Sequence, residues 1–139
     1  MVKGFIGLVL AGVLLSSPAL AADRLTRILE AAELRVCVWP DYYSISYRDP
    51  RTGVLRGIDV DLARALAGDL GVQVRFVDSS FARLVEDVSA DRCDIAMFGI
   101  GITPERQRHL RFTSPHLQSD VYAITTRSNR RVRDWEDID

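Results

Sequence analysis

The segment with the clearest chemical pattern is the run Gly-Ile-Gly-Ile-Thr-Pro-Glu-Arg at residues 99–106. Its two glycines, Gly99 and Gly101, allow the backbone to approach a ligand closely because they lack a Cβ atom. Thr103 is a natural helix N-cap, and the proline that follows it suits the first helical position. A helix is therefore predicted to begin here, with free N–H groups and a positive dipole end that favour an anion.

Arg106 falls in the first turn of this predicted helix, where the helix dipole disfavours a cation. A residue that is unfavourable at its local position often has a functional role. The planar guanidinium fork forms paired hydrogen bonds with a carboxylate. The pattern therefore predicts a carboxylate clamp, and the alternative is a surface ion pair between Arg106 and Glu105 or another acid.

Other chemistries fit the same stretch less well. A dinucleotide-binding loop would need a third glycine, and Pro104 holds that place. A triad of Ser114, His116 and Asp120 would be crowded on one short segment without a nucleophile elbow. The histidines have no cysteine or acidic partners at the spacing of metal ligands, so neither a metal nor a cofactor is predicted. No catalytic residue is assigned.

The elements that position this segment follow from hydrophobic periodicity and turn chemistry. Helices are predicted at residues 24–33, at residues 59–70 and in a stretch capped by Ser80 that carries Phe81. Strands are predicted at residues 34–39, 72–77 and 94–98, with a hairpin between residues 45–48 and 54–57. Strands that alternate with helices through short connections are typical of an open, mostly parallel α/β sheet, with ligands beyond the carboxyl ends of its strands.

The composition is that of a globular chain. Hydrophobic residues make up 47% of the 139 residues, charged residues make up 27%, and the formal net charge is -1. This balance gives no reason to expect nucleic acid or an anionic membrane as a partner. Residues 1–21 combine Lys3, an apolar run and a terminal Ala-Leu-Ala, which is typical of a secretory signal peptide. The mature protein is therefore expected outside the cytoplasm.

The two cysteines, Cys37 and Cys93, are predicted to be buried thiols. Both fall where parallel strands are expected, Cys37 within one strand and Cys93 at the start of another. The stagger between such positions makes the short Cα separation of a disulfide hard to reach.

Four segments together carry a resemblance to a known family. They are Gly-Ile-Asp-Val-Asp-Leu-Ala-Arg-Ala-Leu-Ala at residues 57–67, the aromatic loop at residues 41–47, the loop at residues 94–106 and Arg-Phe-Thr-Ser-Pro-His at residues 111–116. The chain resembles the bacterial extracellular solute-binding proteins of the polar amino-acid family (family 3) from about residue 34 to residue 127. The resemblance implies the first lobe of a type II periplasmic-binding-protein fold, an open and mostly parallel sheet flanked by helices.

The resemblance also implies roles for individual residues. Arg106 would clamp the α-carboxylate of an amino acid or a similar small acid. Tyr42 would stack over the ligand, and Phe81 would form part of the wall around its side chain.

The remaining residues of the predicted ligand-binding set lie on the loop itself. Gly99 and Gly101 would present backbone groups to the ligand, and Thr103 caps the helix that carries the clamp. Gly101 stands where the family commonly has Thr or Ser, which leaves the ligand open. Asp59 and Asp61 are interpreted as helix-start residues in a favourable dipole position, outside the site.

The function implied is the binding of an amino acid or similar small carboxylate for ABC-type import, without catalysis. The partners would be that ligand and an inner-membrane ABC permease, and the protein would be a periplasmic monomer. The predicted organisation is a signal peptide at 1–21, an incomplete first lobe at 22–127 and a connector at 128–139 towards an absent second lobe. That lobe would supply the acid for the ligand ammonium, and residues 121–126 would form a strand near the hinge.

Two other functions stay open. Residues 24–30, 91–97 and 105–108 also resemble exported cyclohexadienyl (arogenate/prephenate) dehydratases. In that case Arg106 would bind a substrate carboxylate, and the acid needed for dehydration would come from the absent lobe. The third possibility is the sensor domain of a receptor.

Overall fold

A computed structural model describes residues 23–120 and 124–138. The predicted signal peptide and Val121 to Ala123 of the predicted hinge strand lie outside these residues. The elements follow in chain order as α1 Arg24–Ala31, β1 Glu33–Val38, β2 Asp41–Tyr42, β3 Ser46–Arg48, β4 Leu55–Arg56, α2 Ile58–Asp69, β5 Gln73–Asp78, α3 Leu84–Ser89, β6 Ile95–Ala96, α4 Pro104–Gln107 and a 3₁₀ turn at Trp135–Asp137. No helix in the described ranges is long and apolar enough to cross a membrane.

The main sheet is parallel, with the strand order β5-β1-β6. Strand β1 pairs with β5 from Glu33↔Gln73 to Val38↔Asp78, and with β6 at Val36↔Ile95 and Cys37↔Ala96. The predicted hairpin is also present, because β3 pairs antiparallel with both β2 and β4. The chain therefore has the predicted α/β architecture, a parallel sheet flanked by helices.

Alternation along β1 divides the core between the two faces of the sheet. Leu34, Val36 and Val38 pack with residues of α1 and α2 in one apolar cluster. Cys37 belongs to a second cluster, together with Leu84 of α3, Cys93 and Phe98. Since β1 is covered on both faces, its near-continuous apolar sequence is what a central parallel strand requires.

The largest differences from the sequence-based expectation concern α3, β6 and the predicted hinge strand. Helix α3 begins at Leu84, and Ser80 only caps the preceding turn, where its Oγ accepts a hydrogen bond from the Arg83 N–H at 3.3 Å. Strand β6 has two residues instead of five, although the backbone N–H groups of Asp94 and Met97 beside it also donate to carbonyls of β1. The described part of the predicted hinge strand, residues 124–126, is not a strand.

Cys37 and Cys93 form a disulfide, with a Cα–Cα distance of 5.6 Å, so the prediction of two free thiols is wrong. Cys93 precedes β6 instead of lying in it. The stagger between paired parallel strands therefore does not set its distance from β1. The turn after α3 instead carries Cys93 into the cluster that contains Cys37.

An ion network ties α1 to the amino end of the sheet. Asp94 is buried and accepts hydrogen bonds from the Arg35 backbone N–H at 2.8 Å and from Arg35 Nη2 at 2.6 Å. Burial raises the pKa of Asp94, but the bonds from Arg35 outweigh it and the net pKa is lowered. Asp91 accepts from Arg27, and that hydrogen bond is the main reason why its pKa is lowered to about 2.

Removing the disulfide is expected to cost about 4 kcal/mol of unfolding free energy, because the bridge spans 56 residues of sequence. The Cys37→Ala/Cys93→Ala variant tests this by urea unfolding at pH 7, with reduced wild type as the comparison. Two thiols that react in denatured, unreduced wild-type protein would contradict the bridge.

Acid is expected to destabilise the fold between about pH 4 and pH 2. Asp91 and Asp94 have lowered pKa values in the folded state, so the unfolded chain binds more protons as the pH falls. Their contribution to stability is complete above the ordinary Asp value of 3.8 and is lost as the pH falls through the folded values, about 2 for Asp91. In urea unfolding at several pH values, the free energy of unfolding should fall less steeply with decreasing pH in Asp91→Asn than in Asp61→Asn, an exposed control. Equal slopes would contradict the assignment.

Candidate functional site

The predicted site residues meet beyond the carboxyl ends of the parallel strands. Tyr42 ends β2, and Phe81 lies in the turn before α3. Gly99 and Gly101 lie in the loop after β6, while Arg106 is on α4. The crossover topology brings these distant segments together, as expected for ligand sites in open α/β sheets.

Four aromatic side chains form one cluster, which we call the aromatic wall: Trp39, Tyr42, Phe81 and Phe98. The Phe81 ring centroid lies 5.2 Å from that of Trp39, 6.0 Å from that of Tyr42 and 5.1 Å from that of Phe98, each in an edge-to-face arrangement. Such geometry is favourable for aromatic pairs. The sequence prediction missed Trp39, although its place directly after the central strand was a usable signal.

Arg106 is held against this wall. The centre of its guanidinium lies 5.5 Å from the Phe81 ring centroid, a cation–π contact. Its Nη1 donates a hydrogen bond to the Gly101 carbonyl at 2.9 Å. Within the described ranges Arg106 forms no ion pair with Glu105 or any other acid, so the remaining donors of the fork are not engaged by a carboxylate.

The start of α4 follows the prediction only in part. Thr103 is the N-cap, and its Oγ1 accepts a hydrogen bond from the Arg106 N–H at 3.2 Å. The helix has only four residues, however, so its dipole is small and cannot serve as the anion site that the sequence suggested. The capacity to bind an anion therefore rests on the Arg106 side chain.

The backbone groups of the two glycines are partly engaged within the protein. The Gly99 N–H donates to Asp59 Oδ2 at 2.6 Å, and the Gly101 carbonyl accepts from Arg106. Gly99 has a φ of +64°, and a Cβ added there would lie 3.0 Å from Cε1 of Tyr42. Gly99 thus lets the loop pass close to the aromatic wall, and presentation of its groups to a ligand stays a prediction.

No group of three or more His, Cys, Asp or Glu in the described part of the chain could hold a metal ion. At the site, Arg106 places a guanidinium beside the aromatic wall. This combination suits an organic anion with an apolar or flat portion.

The family model of the bacterial extracellular solute-binding proteins, family 3, matches residues 34–134. The chain belongs to this family. The match includes the parallel sheet, the aromatic wall and α4. Membership agrees with the resemblance found in the sequence.

Known relatives include both an enzyme and binding proteins. The cyclohexadienyl dehydratase of Pseudomonas aeruginosa is 43% identical over 91% of this chain and 48% of its own length. A putative ABC transporter arginine-binding protein of Escherichia coli is 32% identical over 89% of this chain and 46% of its own length. The chain thus spans about half the length of these relatives.

A solved structure supports the fold. The arginine-bound form of domain 1 from TmArgBP is 32% identical, with a TM-score of 0.56, over 59% of this chain and 64% of that domain. The likeness is to a ligand-binding lobe of the type II periplasmic-binding-protein class, in agreement with the predicted fold.

A side chain at Gly99 is expected to disturb the aromatic wall. Gly99→Ala and Gly53→Ala both place alanine at a positive φ, of +64° and +70°, but only Gly99 has a neighbour within 4 Å. Each should lose about 1 kcal/mol of stability from the backbone alone. Gly99→Ala should lose about 1 kcal/mol more and change the near-ultraviolet circular dichroism, because Tyr42 must move. Identical spectra for the two variants would contradict the close approach.

Proposed function

We propose that this chain is the first ligand-binding lobe of an exported solute-binding protein that takes an amino acid or a similar small carboxylate. The observation that carries the proposal is Arg106, whose guanidinium lies against Phe81 and is oriented by the Gly101 carbonyl. A fork fixed in this way loses little entropy when it binds a carboxylate through paired hydrogen bonds. Arg106 is therefore the proposed carboxylate clamp.

The aromatic wall would contact the rest of the ligand. Tyr42 and Phe81 are half-buried, so both residues remain partly accessible from solvent. Tyr42 would stack over the ligand, and Phe81 and Trp39 would line its side-chain pocket. Apolar walls with a few polar groups are typical of small-molecule sites.

The relatives support a binding role. The Escherichia coli relative is named for arginine binding, and the TmArgBP structure is an arginine-bound form of a single domain. A single lobe of this class is thus found with its ligand. Gly101 lacks the hydroxyl that the family resemblance led us to expect, so the identity of the ligand depends on experiment.

The cellular context belongs to the same proposal. Residues 1–21 would direct export, residues 22–127 would form the lobe, and residues 128–139 would connect to a second lobe that supplies an acid for the ligand ammonium. A monomer would then deliver its ligand to an ABC permease. Closure of two lobes on a ligand is a hinge motion of the familiar kind.

A dehydratase is the second candidate, favoured by the 43% identity to a cyclohexadienyl dehydratase. Arg106 would then bind a carboxylate of prephenate or arogenate. Dehydration also needs a general acid near the leaving hydroxyl. Asp59 is 1% exposed and already accepts the Gly99 N–H, so it is poorly placed for that task.

Arg106→Ala is expected to weaken ligand binding about a hundredfold, since a paired charge-assisted contact is worth about 3 kcal/mol. Isothermal titration calorimetry with a panel of amino acids, beginning with L-arginine, measures the effect. Arg108→Ala is the matched control, because Arg108 follows the same short helix and is exposed. Equal affinity in wild type and Arg106→Ala would refute the clamp.

Incubation of the protein that includes the proposed second lobe with prephenate at neutral pH separates the two candidates, because that lobe would supply the acid for dehydration. A binding protein should produce no phenylpyruvate above the rate without protein, as followed by the absorbance of phenylpyruvate in alkali. Product formed by wild type and lost in Arg106→Ala would favour the dehydratase instead.

A further inference from the structure

The surroundings of Asp59 differ from those of Asp61, the other acid in the first turn of α2. Asp59 and Asp61 both lie in the first turn of α2, but the Asp59 side chain is 2% exposed and the Asp61 side chain is 75% exposed. A buried carboxylate is costly unless hydrogen-bond donors surround it. The groups that donate hydrogen bonds to Asp59 therefore indicate why its carboxylate is buried.

Both oxygens of Asp59 meet the segment that contains Arg106. Oδ2 accepts the Gly99 N–H at 2.6 Å, and Oδ1 lies 3.5 Å from Nε2 of His116. We call residues 99–116, which Gly99 and His116 bound, the excursion; it leaves the sheet after β6 and includes α4. One buried side chain thus holds the excursion at both ends.

Few other polar contacts hold this excursion. Between described residues, its other hydrogen bonds stay within the excursion, as in the bonds of Arg106 to Thr103 and Gly101. Ile100 and Leu110 add apolar contacts to the core cluster that contains Phe98. Apart from the cation–π contact of Arg106 with Phe81, the polar attachment of the excursion to the rest of the described chain is therefore through Asp59.

We propose that Asp59 is the positioning residue of the carboxylate site, holding both ends of the excursion that carries Arg106. The hydrogen bond from the Gly99 N–H to Asp59 fixes the distance between the loop and the Tyr42 ring. From there the loop places the Gly101 carbonyl, which orients the Arg106 guanidinium. Asp59 lies at the start of α2, where the helix dipole favours a negative charge. A short hydrogen bond to a charged acceptor is also stronger than one to a neutral acceptor. The consequence for ligand binding rests on the proposed function, whereas the positioning itself does not.

Nuclear magnetic resonance of the ligand-free 139-residue chain tests the positioning. Three variants are compared with wild type: Asp59→Ala, which removes both acceptors, Asp59→Asn, which keeps one acceptor without the charge, and Asp61→Asn, the matched control from the same helix turn. The readouts are the Gly99 amide proton shift and the backbone order parameters.

The wild-type Gly99 amide proton is expected downfield, and it should move upfield in Asp59→Asn and further in Asp59→Ala. Order parameters of residues 99–116 should fall from about 0.85 towards 0.6 in Asp59→Ala, with β1 and β5 unchanged. Asp59→Asn should lie between, and Asp61→Asn should match wild type. A merely structural role would loosen β1 and β5 as much as the excursion, and that result, or a Gly99 signal unaffected by Asp59→Asn, would overturn the proposal.

His116→Gln keeps the test decisive if both Asp59 variants fail to fold, because His116 is exposed. It should lower the order parameters of residues 111–116 while the Gly99 shift is retained. Unchanged order parameters there would overturn the claim that Asp59 holds both ends.

Titration with L-arginine separates this proposal from the proposed function. Affinity should fall at least tenfold in Asp59→Ala and stay at the wild-type value in Asp61→Asn. If the wild-type chain binds no amino acid or small carboxylate, the proposed function fails, while the mobility of residues 99–116 still decides the role of Asp59.

Discussion

The pairing of β1 with β5 and β6 is the constraint on which the rest of the structure depends. Because the three strands are parallel, their carboxyl ends meet at one edge, and the segments that follow them meet there too. Trp39 follows β1, the turn with Phe81 follows β5, and the loop with Gly99 follows β6. The aromatic wall is therefore a consequence of strand direction, since no local feature of these segments predicts their contact.

The two ends of this sheet differ in how their charged side chains are paired. At the amino end, arginines of α1 and β1 pair with Asp91 and Asp94, so the charges there satisfy one another. At the carboxyl end, Arg106 faces an aromatic ring and a carbonyl instead of an acid. The disulfide lies between them, in the cluster that supports Phe98 and Phe81. Among the described residues Arg106 has no acidic partner, and a cation positioned by packing in this way suits an anion site.

The same lobe is compatible with transport and with catalysis, which is why family membership alone does not decide the function. A carboxylate clamp and an aromatic wall bind a substrate as readily as a transported ligand. A dehydratase additionally needs a proton donor placed at the leaving hydroxyl. Asp59 is buried and accepts the Gly99 N–H, so its carboxylate does not meet this need.

The sequence by itself determined most of the elements and led to the prediction of a clamp at Arg106. Periodicity and turn chemistry placed the helices, the parallel strands, the hairpin and the Thr103 cap, because these depend on contacts between near neighbours in the chain. Arg106 was singled out because a cation is unfavourable at the start of a helix, although α4 has only four residues and a small dipole. Tertiary structure alone decided the disulfide, the short β6 and the late start of α3. It also separated Asp59 from Asp61, two acids with the same local pattern, because burial and the approach of Gly99 depend on segments 40 or more residues away.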